Sequence, residues 1–259
     1  MTRLALADSP LARRLCQEKR INIDYIETSA MFADTIKNDC PDMPLLLHNS
    51  VWDWSLAHND ALNQKEILKH TKNRLKITNA PFFSIHIGFS AGLVEFDNGM
   101  QALSPSLNRQ ELLAIMVKNV LKLKEHLDIP LLLENLDYVP AAAYEHICEP
   151  DFISELLAQT DTYLLLDLAH AQVSASRFSM TIEDYLAGLP LKRVKQMHIS
   201  GPREKDNVLF DAHEPLLKRD YKILETVLEK ISPWAITLEY KKDEGEILDM
   251  LEHIQGLLS

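Results

Sequence analysis

The chain has 259 residues, enough to bury a sizeable core and to form one large α/β domain. Its formal charge of −11 disfavours a broad electropositive face for a nucleic-acid backbone, although a metal cluster could still supply local positive potential. The composition carries no signature of disorder, and no run approaches the roughly 18 apolar residues of a membrane span.

At the start of the chain, MTRLALADSPLARRL lacks a long apolar core followed by a small-residue cleavage site, so no export is expected. Cys16, Cys40 and Cys148 are odd in number, widely spaced and without a CxxC pair, which reads as reduced thiols in a cytoplasmic protein. Short β-rich runs are predicted at 3–7, 24–29, 44–50, 82–88, 130–136, 162–168, 194–200 and 235–240. Between them the clearest helical pattern covers 108–127, with Leu112, Ile115, Met116, Val120, Leu123 and Leu127 on one face. Further helices are predicted over 151–159, 182–188, 221–231 and 244–258. Eight strands alternating with helices imply right-handed βαβ units closing a (β/α)8 TIM barrel, here taken as a single domain over 1–259. A doubly wound open sheet is the alternative, and the absence of a GxGxxG or Walker-type loop after the first strand weakens its nucleotide-binding form. The longest irregular segments, 48–58, 137–149 and 201–217, follow strands on the side where barrel enzymes build their sites. Trp52 and Trp54 in the first of these could line a substrate pocket, and packing against the barrel rim explains them equally well.

Potential metal ligands recur at or just past the ends of the apolar runs: His48, His86, Glu134, Asp167, His170, His198, Asp211, His213 and Glu239. A lone histidine in an apolar run is more often a hydrogen-bonded core residue, and His126, among charged neighbours, reads as surface. The set changes that reading. Asp167 and His170 stand three apart across a strand end, and Asp211 and His213 alternate by two, so each pair can face one centre. Burying so many ionisable groups without partners would cost several kcal/mol each, whereas cations stabilise the deprotonated forms and let carboxylates bridge. Five imidazoles and four carboxylates suit zinc, iron or manganese, and nine ligands can hold two or three ions, where a structural zinc needs four. A structural scaffold that binds metal without catalysis is the bland alternative.

The elements HNS, HIG, LLLENLD, LLLDLAHA, MHIS, DAHEPL and TLEY resemble the ligand series of the xylose-isomerase-like barrel superfamily. Endonuclease IV is similar in several of them, and there they hold three zinc ions. The stretch VSASRFSMTIEDYLAGLPLKRVKQMHISG, with DAHEPL and ITLEY after it, more closely resembles the multinuclear non-haem iron-dependent oxidases of methanobactin-biosynthesis type. Glu27, in IDYIETSA, sits where that family begins with an aspartate-containing strand ending in glutamate. The chain departs from the oxidase pattern in reading Asp167-Leu-Ala-His170 without the family's two asparagines, and Ser200-Gly201-Pro202 in place of an alanine-glycine-histidine continuation.

The resemblance implies that the nine residues are metal ligands and that Asn135 is an outer partner. It further implies two or three iron ions, with zinc or manganese as alternatives, in an oxidase that modifies cysteine residues of a small peptide. In such enzymes a mixed-valence iron pair binds the cysteine sulfur and activates dioxygen, with Glu239 and Asp211 as the catalytic carboxylates, and a partner protein binds the peptide's leader. A zinc phosphodiesterase is the hydrolase alternative, for which Lys192, Arg193, Lys195, Arg203 and Lys205 would have to gather on the rim. A divalent-metal sugar isomerase or epimerase is a third reading.

Overall fold

The computed structural model of the chain describes residues 1–49, 55–58, 65–96 and 100–258. Its strands, in chain order, are β1 (Arg3–Ala7), β2 (Tyr25–Thr28), β3 (Leu45–Asn49), β4 (Phe83–His86), β5 (Val94–Phe96), β6 (Met100–Ala102), β7 (Leu131–Glu134), β8 (Tyr163–Asp167), β9 (Val194–Ile199), β10 (Gly201–Lys205), β11 (Val208–Glu214) and β12 (Ala235–Leu238). The helices are α1 (Pro10–Gln17), α2 (Ala33–Asp39), α3 (Lys65–Thr78), α4 (Arg109–Lys124), α5 (Pro150–Thr160), α6 (Leu168–Arg177), α7 (Ile182–Gly188), α8 (Lys218–Leu228) and α9 (Glu244–Leu257). Eight strands close a barrel in the order β1-β12-β9-β8-β7-β4-β3-β2. The first and last strands complete it in parallel, from Arg3 opposite Ala235 to Leu6 opposite Leu238. The expected (β/α)8 barrel is therefore the fold, and the open sheet is not.

The barrel strands are apolar on both faces because both faces are covered. Outward, Leu6, Ile26, Leu47, Ile85, Leu133, Leu166 and Leu238 join one cluster with helical residues such as Leu15, Met116, Leu156 and Ile247. Inward, Ala5, Leu46, Phe82, Leu132, Leu165 and Ala235 form a separate apolar plug flanked by Tyr25 and Tyr163. Successive side chains on a strand alternate faces, so two residues after a plug residue the chain points inward again. Leu46 leads to His48, Leu132 to Glu134, and Leu165 to Asp167. Strand β9 keeps this phase through an extra residue: Val194 lies opposite Leu164, whereas Gln196 lies opposite Leu165, and the bulge turns both Gln196 and His198 inward.

Helices α1, α2, α3 and α6 lie outside those predicted from the sequence. In α6, eight consecutive residues from Leu168 to Ala175 are buried, so the helix has no polar stripe to show it. Helix α1 is short, and a local signal marks its start, Ser9 accepting from the backbone of Ala12 ahead of Pro10. The segment 201–217, read as irregular, contains the antiparallel hairpin β10–β11. Its tip places Asp206 and Asn207 at φ 53° and 60°, the left-handed pair that a tight hairpin turn requires. The segment 137–149 is irregular as expected apart from one short helical turn at Ala142–Tyr144, and the Tyr185 hydroxyl donates to the Cys148 carbonyl at 2.8 Å to hold it down. Trp52 and Trp54 lie outside the described residues. Among the described residues no helix is long and apolar enough to cross a membrane.

Leu132, fully buried in the plug, sits one inward position below Glu134. Leu132→Ala should lower the unfolding free energy by about 2–5 kcal/mol in urea titrations while leaving the metal content per folded chain unchanged. Loss of metal at unaltered stability would show that the plug positions ligands directly.

Candidate metal centre

All nine predicted ligands meet at the carboxyl-terminal mouth of the barrel, centred on Glu134. This glutamate is the last residue of β7 and is 1% exposed. Its Oε2 lies 3.1 Å from His48 Nε2 and 2.8 Å from His86 Nε2, while its Oε1 lies 3.0 Å from His198 Nδ1 and 3.7 Å from His170 Nδ1. Three overlapping groups bring ligand atoms within 4.8 Å of one another: His48, His86 and Glu134; Glu134, Asp167 and His198; and Glu27, His198 and Glu239. Glu239, just past β12, places Oε1 3.5 Å from His198 Nδ1.

A looser outer group, Asp211 and His213, adjoins this one through Asp167 and His170. Asp167 ends β8 and is also the N-cap of α6, its Oδ1 accepting from His170 N at 2.7 Å. The Asp-x-x-His spacing is thus a capping interaction that turns both side chains to the mouth without any intervening loop. Hairpin strand β11 brings in Asp211, whose Oδ2 is 3.7 Å from His170 Nε2 and 2.9 Å from His213 Nδ1. His213 Nε2 lies 3.2 Å from Glu239 Oε2 and so links the outer group to the inner one. His213 has φ 45°, a left-handed residue that breaks strand regularity at the point where its ring swings over the mouth.

The hydrogen bonds around the rings test whether cations fit. Ser84 Oγ, already donating to Leu47 O, is positioned to accept from His48 Nδ1 at 2.9 Å, and the Asn135 carbonyl, an obligate acceptor, faces His170 Nδ1 at 2.9 Å. Each of these rings spends one N–H outward and leaves Nε2 facing a carboxylate. Two lone pairs aimed at each other repel unless a proton or a metal ion stands between them. Glu134 Oε2 is buried and meets only the ring nitrogens of His48 and His86, the surroundings expected of a metal ligand. The donor set therefore fits hard or borderline divalent ions.

Without metal, protons take that place. Burial raises the Glu134 carboxyl, but His86, His198 and His48 outweigh it and hold the group well below the usual range. Burial pushes Asp167 up to about 7 against the pull of His170, with Glu239, Glu134 and Asp211 adding to the rise. Burial likewise disfavours charged His198 and His170, yet the surrounding carboxylates raise both well above the ordinary imidazole value. Hydrogen bonds to Asp211 and Glu239 raise His213 to about 10.

The nine expected ligands leave out the carboxylate of Glu27, although it lies 2.6 Å from His198 Nε2; the likeness of IDYIETSA to the first strand of the oxidase family is the signal that pointed to it. Asn135 stands directly behind the ligand set: its side chain donates to Asp167 O at 3.0 Å and accepts from Asp167 N at 2.9 Å, bracing the backbone of a neighbouring strand. The basic residues that a phosphate clamp would need do not gather. Arg193 pairs with Asp161 at 3.1 Å, Lys195 stands over the rings of Tyr163 and Trp234 at the other end of β9, and Arg203 donates to the carbonyls of Pro202 and Pro215. The three thiols lie apart from the centre, and burial pushes Cys16 up to about 12 and also raises Cys40 and Cys148, so none is activated.

A family model of the RiPP precursor modification enzymes MbnB/TglH/ChrH matches residues 22–257. The chain belongs to that family. One relative, a UPF0276 protein of Caulobacter vibrioides, is 31% identical over 153 residues, covering 59% of this chain and 55% of that protein, so this chain spans about half the length of that curated relative. Among solved structures, a D-tagatose 3-epimerase-like protein is 12% identical with a TM-score of 0.68, covering 99% of this chain and 97% of its own. Endonuclease IV of Thermus thermophilus is 15% identical with a TM-score of 0.62, covering 99% of this chain and 98% of its own. These neighbours share the barrel fold, one of them a xylose isomerase-like TIM-barrel protein of Mycobacterium smegmatis, 17% identical with a TM-score of 0.62 and covering 100% of this chain and 97% of its own, and membership of the RiPP-modifying family agrees with the likeness read from the strand-end motifs.

Metal binding to the metal-free protein of this family member should release protons at pH 7, because groups raised to about 10 and about 7 must give them up. Affinity should accordingly fall as pH falls. Calorimetric titration with zinc in two buffers of different ionisation heat reads the number released, and a value of zero would contradict this account.

Proposed function

We propose that the chain is an iron-dependent oxidase that modifies cysteine residues of a small ribosomal peptide, using two or three ions held by His48, His86, Glu134, Asp167, His170, His198, Asp211, His213 and Glu239. The observation that carries the proposal is Glu134, a buried carboxylate with one oxygen between two imidazole nitrogens and the other beside two more, in a chain of the RiPP-modifying family. With imidazoles beside both of its oxygens, such a carboxylate would help to hold more than one ion. Iron at this site would supply electron transfer to dioxygen and Lewis acidity toward a thiolate.

The chain's own residues supply binding and orientation. A cavity of about 250 Å³ opens beside the centre, bordered by His48 and Glu239 on one side and by Asp8, Ser29, Phe32 and Lys241 on the other. It has room for a side chain and a short stretch of backbone, with an apolar ring and charged groups of both signs to orient them. Glu239 borders this cavity and also meets His198 and His213, so it is placed to touch both bound ions and substrate. Asp211, held by Ser200 Oγ at 3.1 Å and by His213, has the corresponding position in the outer group. We assign these two carboxylates the catalytic role. The peptide cysteine is oxidised and dioxygen accepts the electrons, and a leader-binding partner protein would bring the peptide to the mouth.

Two measurements test this reading. Protein purified without oxygen from cells grown on enriched iron should hold two or three irons per chain, part ferrous and part ferric by Mössbauer spectroscopy, and should consume dioxygen only with a cysteine-containing peptide encoded beside its gene. Zinc at the same stoichiometry with no iron would move the assignment to a hydrolase. Glu134→Gln should remove at least two ions by mass spectrometry, whereas His213→Ala should remove one, since Glu134 meets four imidazoles and His213 lies in the outer group only.

A further inference from the structure

Each inner imidazole has two nitrogens, and which one faces the ions is decided by what holds the other. His48 is held by a hydroxyl and His170 by a backbone carbonyl. His198 is different. Its Nε2 lies 2.6 Å from Glu27 Oε1, and its Nδ1 faces Glu134 Oε1 at 3.0 Å and Glu239 Oε1 at 3.5 Å. The ring is fully buried, and Glu27, 5% exposed, also borders the cavity beside the centre.

We infer that Glu27 is a positioning residue that selects the Nε2–H tautomer of His198, so that Nδ1 carries the lone pair turned toward Glu134 and Glu239. The inference rests on the metal-binding part of the proposed function and on none of its redox chemistry. A carboxylate accepts and cannot donate, so the neutral ring beside it carries its proton on Nε2. In the opposite tautomer Nδ1–H would point at two ligand carboxylates and His198 could not bind an ion there.

Glu27 is itself held in a way that suits orienting better than ligating. Its Oε2 accepts from Gln196 Nε2 and from Thr237 Oγ1, the latter at 3.2 Å, while Oε1 faces the His198 N–H. Glu27 Oε2 already has two donors, whereas Glu134 Oε2 meets only the ring nitrogens of His48 and His86. Gln196, Thr237 and Glu27 come from β9, β12 and β2, which together with β1 run consecutively around the barrel, and all three are buried. They lie between the apolar plug and the ligand ring as a polar tier whose common partner is this one carboxylate. A carboxylate behind a ligating histidine raises the basicity of the ring as well as fixing its direction.

Glu27→Gln keeps the shape and removes the charge, and it exchanges an obligate acceptor for a side chain that can also donate. Zinc titration of metal-free protein in competition with a chromophoric chelator should show one ion bound about 10- to 100-fold more weakly than in the wild type, with the remaining ions unchanged. Thermal unfolding of the metal-free variant separates this from a structural role, which would lower the melting temperature and leave affinity as it was. Equal zinc affinities in wild type and variant would overturn the role of Glu27 alone, whereas a wild type that binds no zinc, iron or manganese would overturn the metal centre itself. Should the variant not fold, long-range proton–nitrogen correlation spectra of zinc-loaded wild type read the His198 tautomer directly: a proton on Nε2 agrees with the inference, and a proton on Nδ1 overturns it.

Discussion

A carboxylate with almost no access to water, surrounded by four imidazoles at 2.8 to 3.7 Å, is the constraint that organises this protein. Glu134 cannot be buried as an isolated anion without a large desolvation penalty, and the neighbouring rings already direct protons elsewhere. The site is therefore stable only when positive charge fills it, as protons or as metal ions. The pKa directions around Glu134 show how the charge is shared: Glu134, in contact with rings, is held low, His198, surrounded by Glu27, Glu239 and Glu134, is held high, and burial dominates at His86, which is lowered, and at Asp167, which is pushed up.

The barrel makes such a concentration of charge tolerable by layering its interior. Below lies the apolar plug of Leu46, Phe82, Leu132, Leu165 and their neighbours, which excludes water from the axis. Above it comes the polar tier of Glu27, Gln196 and Thr237, and then the ring of candidate ligands. Strand pleating sets the spacing between layers, so one extra residue in β9 is needed to keep Gln196 and His198 in register with their neighbours. Packing and chemistry share the same eight strands, with helices covering the outer face.

The outer group depends on a different device. Asp211 and His213 come from a hairpin that leaves the barrel after β9 and turns back over the mouth. Its position is secured by contacts such as Lys242 Nζ with Glu214 Oε1 at 2.6 Å and Arg203 with the Pro215 carbonyl. Gly201 permits the close approach at its base, because a Cβ there would stand 2.3 Å from the Pro215 oxygen.

Much of this is legible in the chain itself. The eight apolar runs mark the barrel strands to within two residues at either end, because a strand buried on both faces reads as an uninterrupted apolar segment. The nine candidate ligands stand out because polar residues at the ends of such segments need a reason to be there. The missing parts are those with no local signature. Helix α6 is buried along most of its length and so lacks a stripe, and the hairpin is masked by its few apolar residues. Glu27 is marked only by the family likeness of its strand, and the lysines and arginines clustered near His198 in sequence are distributed in space to opposite ends of a strand.

The sequence by itself determined the strand positions, the alternation that closes a barrel, and the residue types able to hold metal, since hydrophobic period and side-chain chemistry are local properties. Only the tertiary structure decided which candidate ligands stand together, which nitrogen of each ring turns inward, and that Glu27 stands behind His198. Those depend on distances between strands as far apart in the chain as those of Glu27 and Thr237, separated by 210 residues, and no local pattern encodes such a distance.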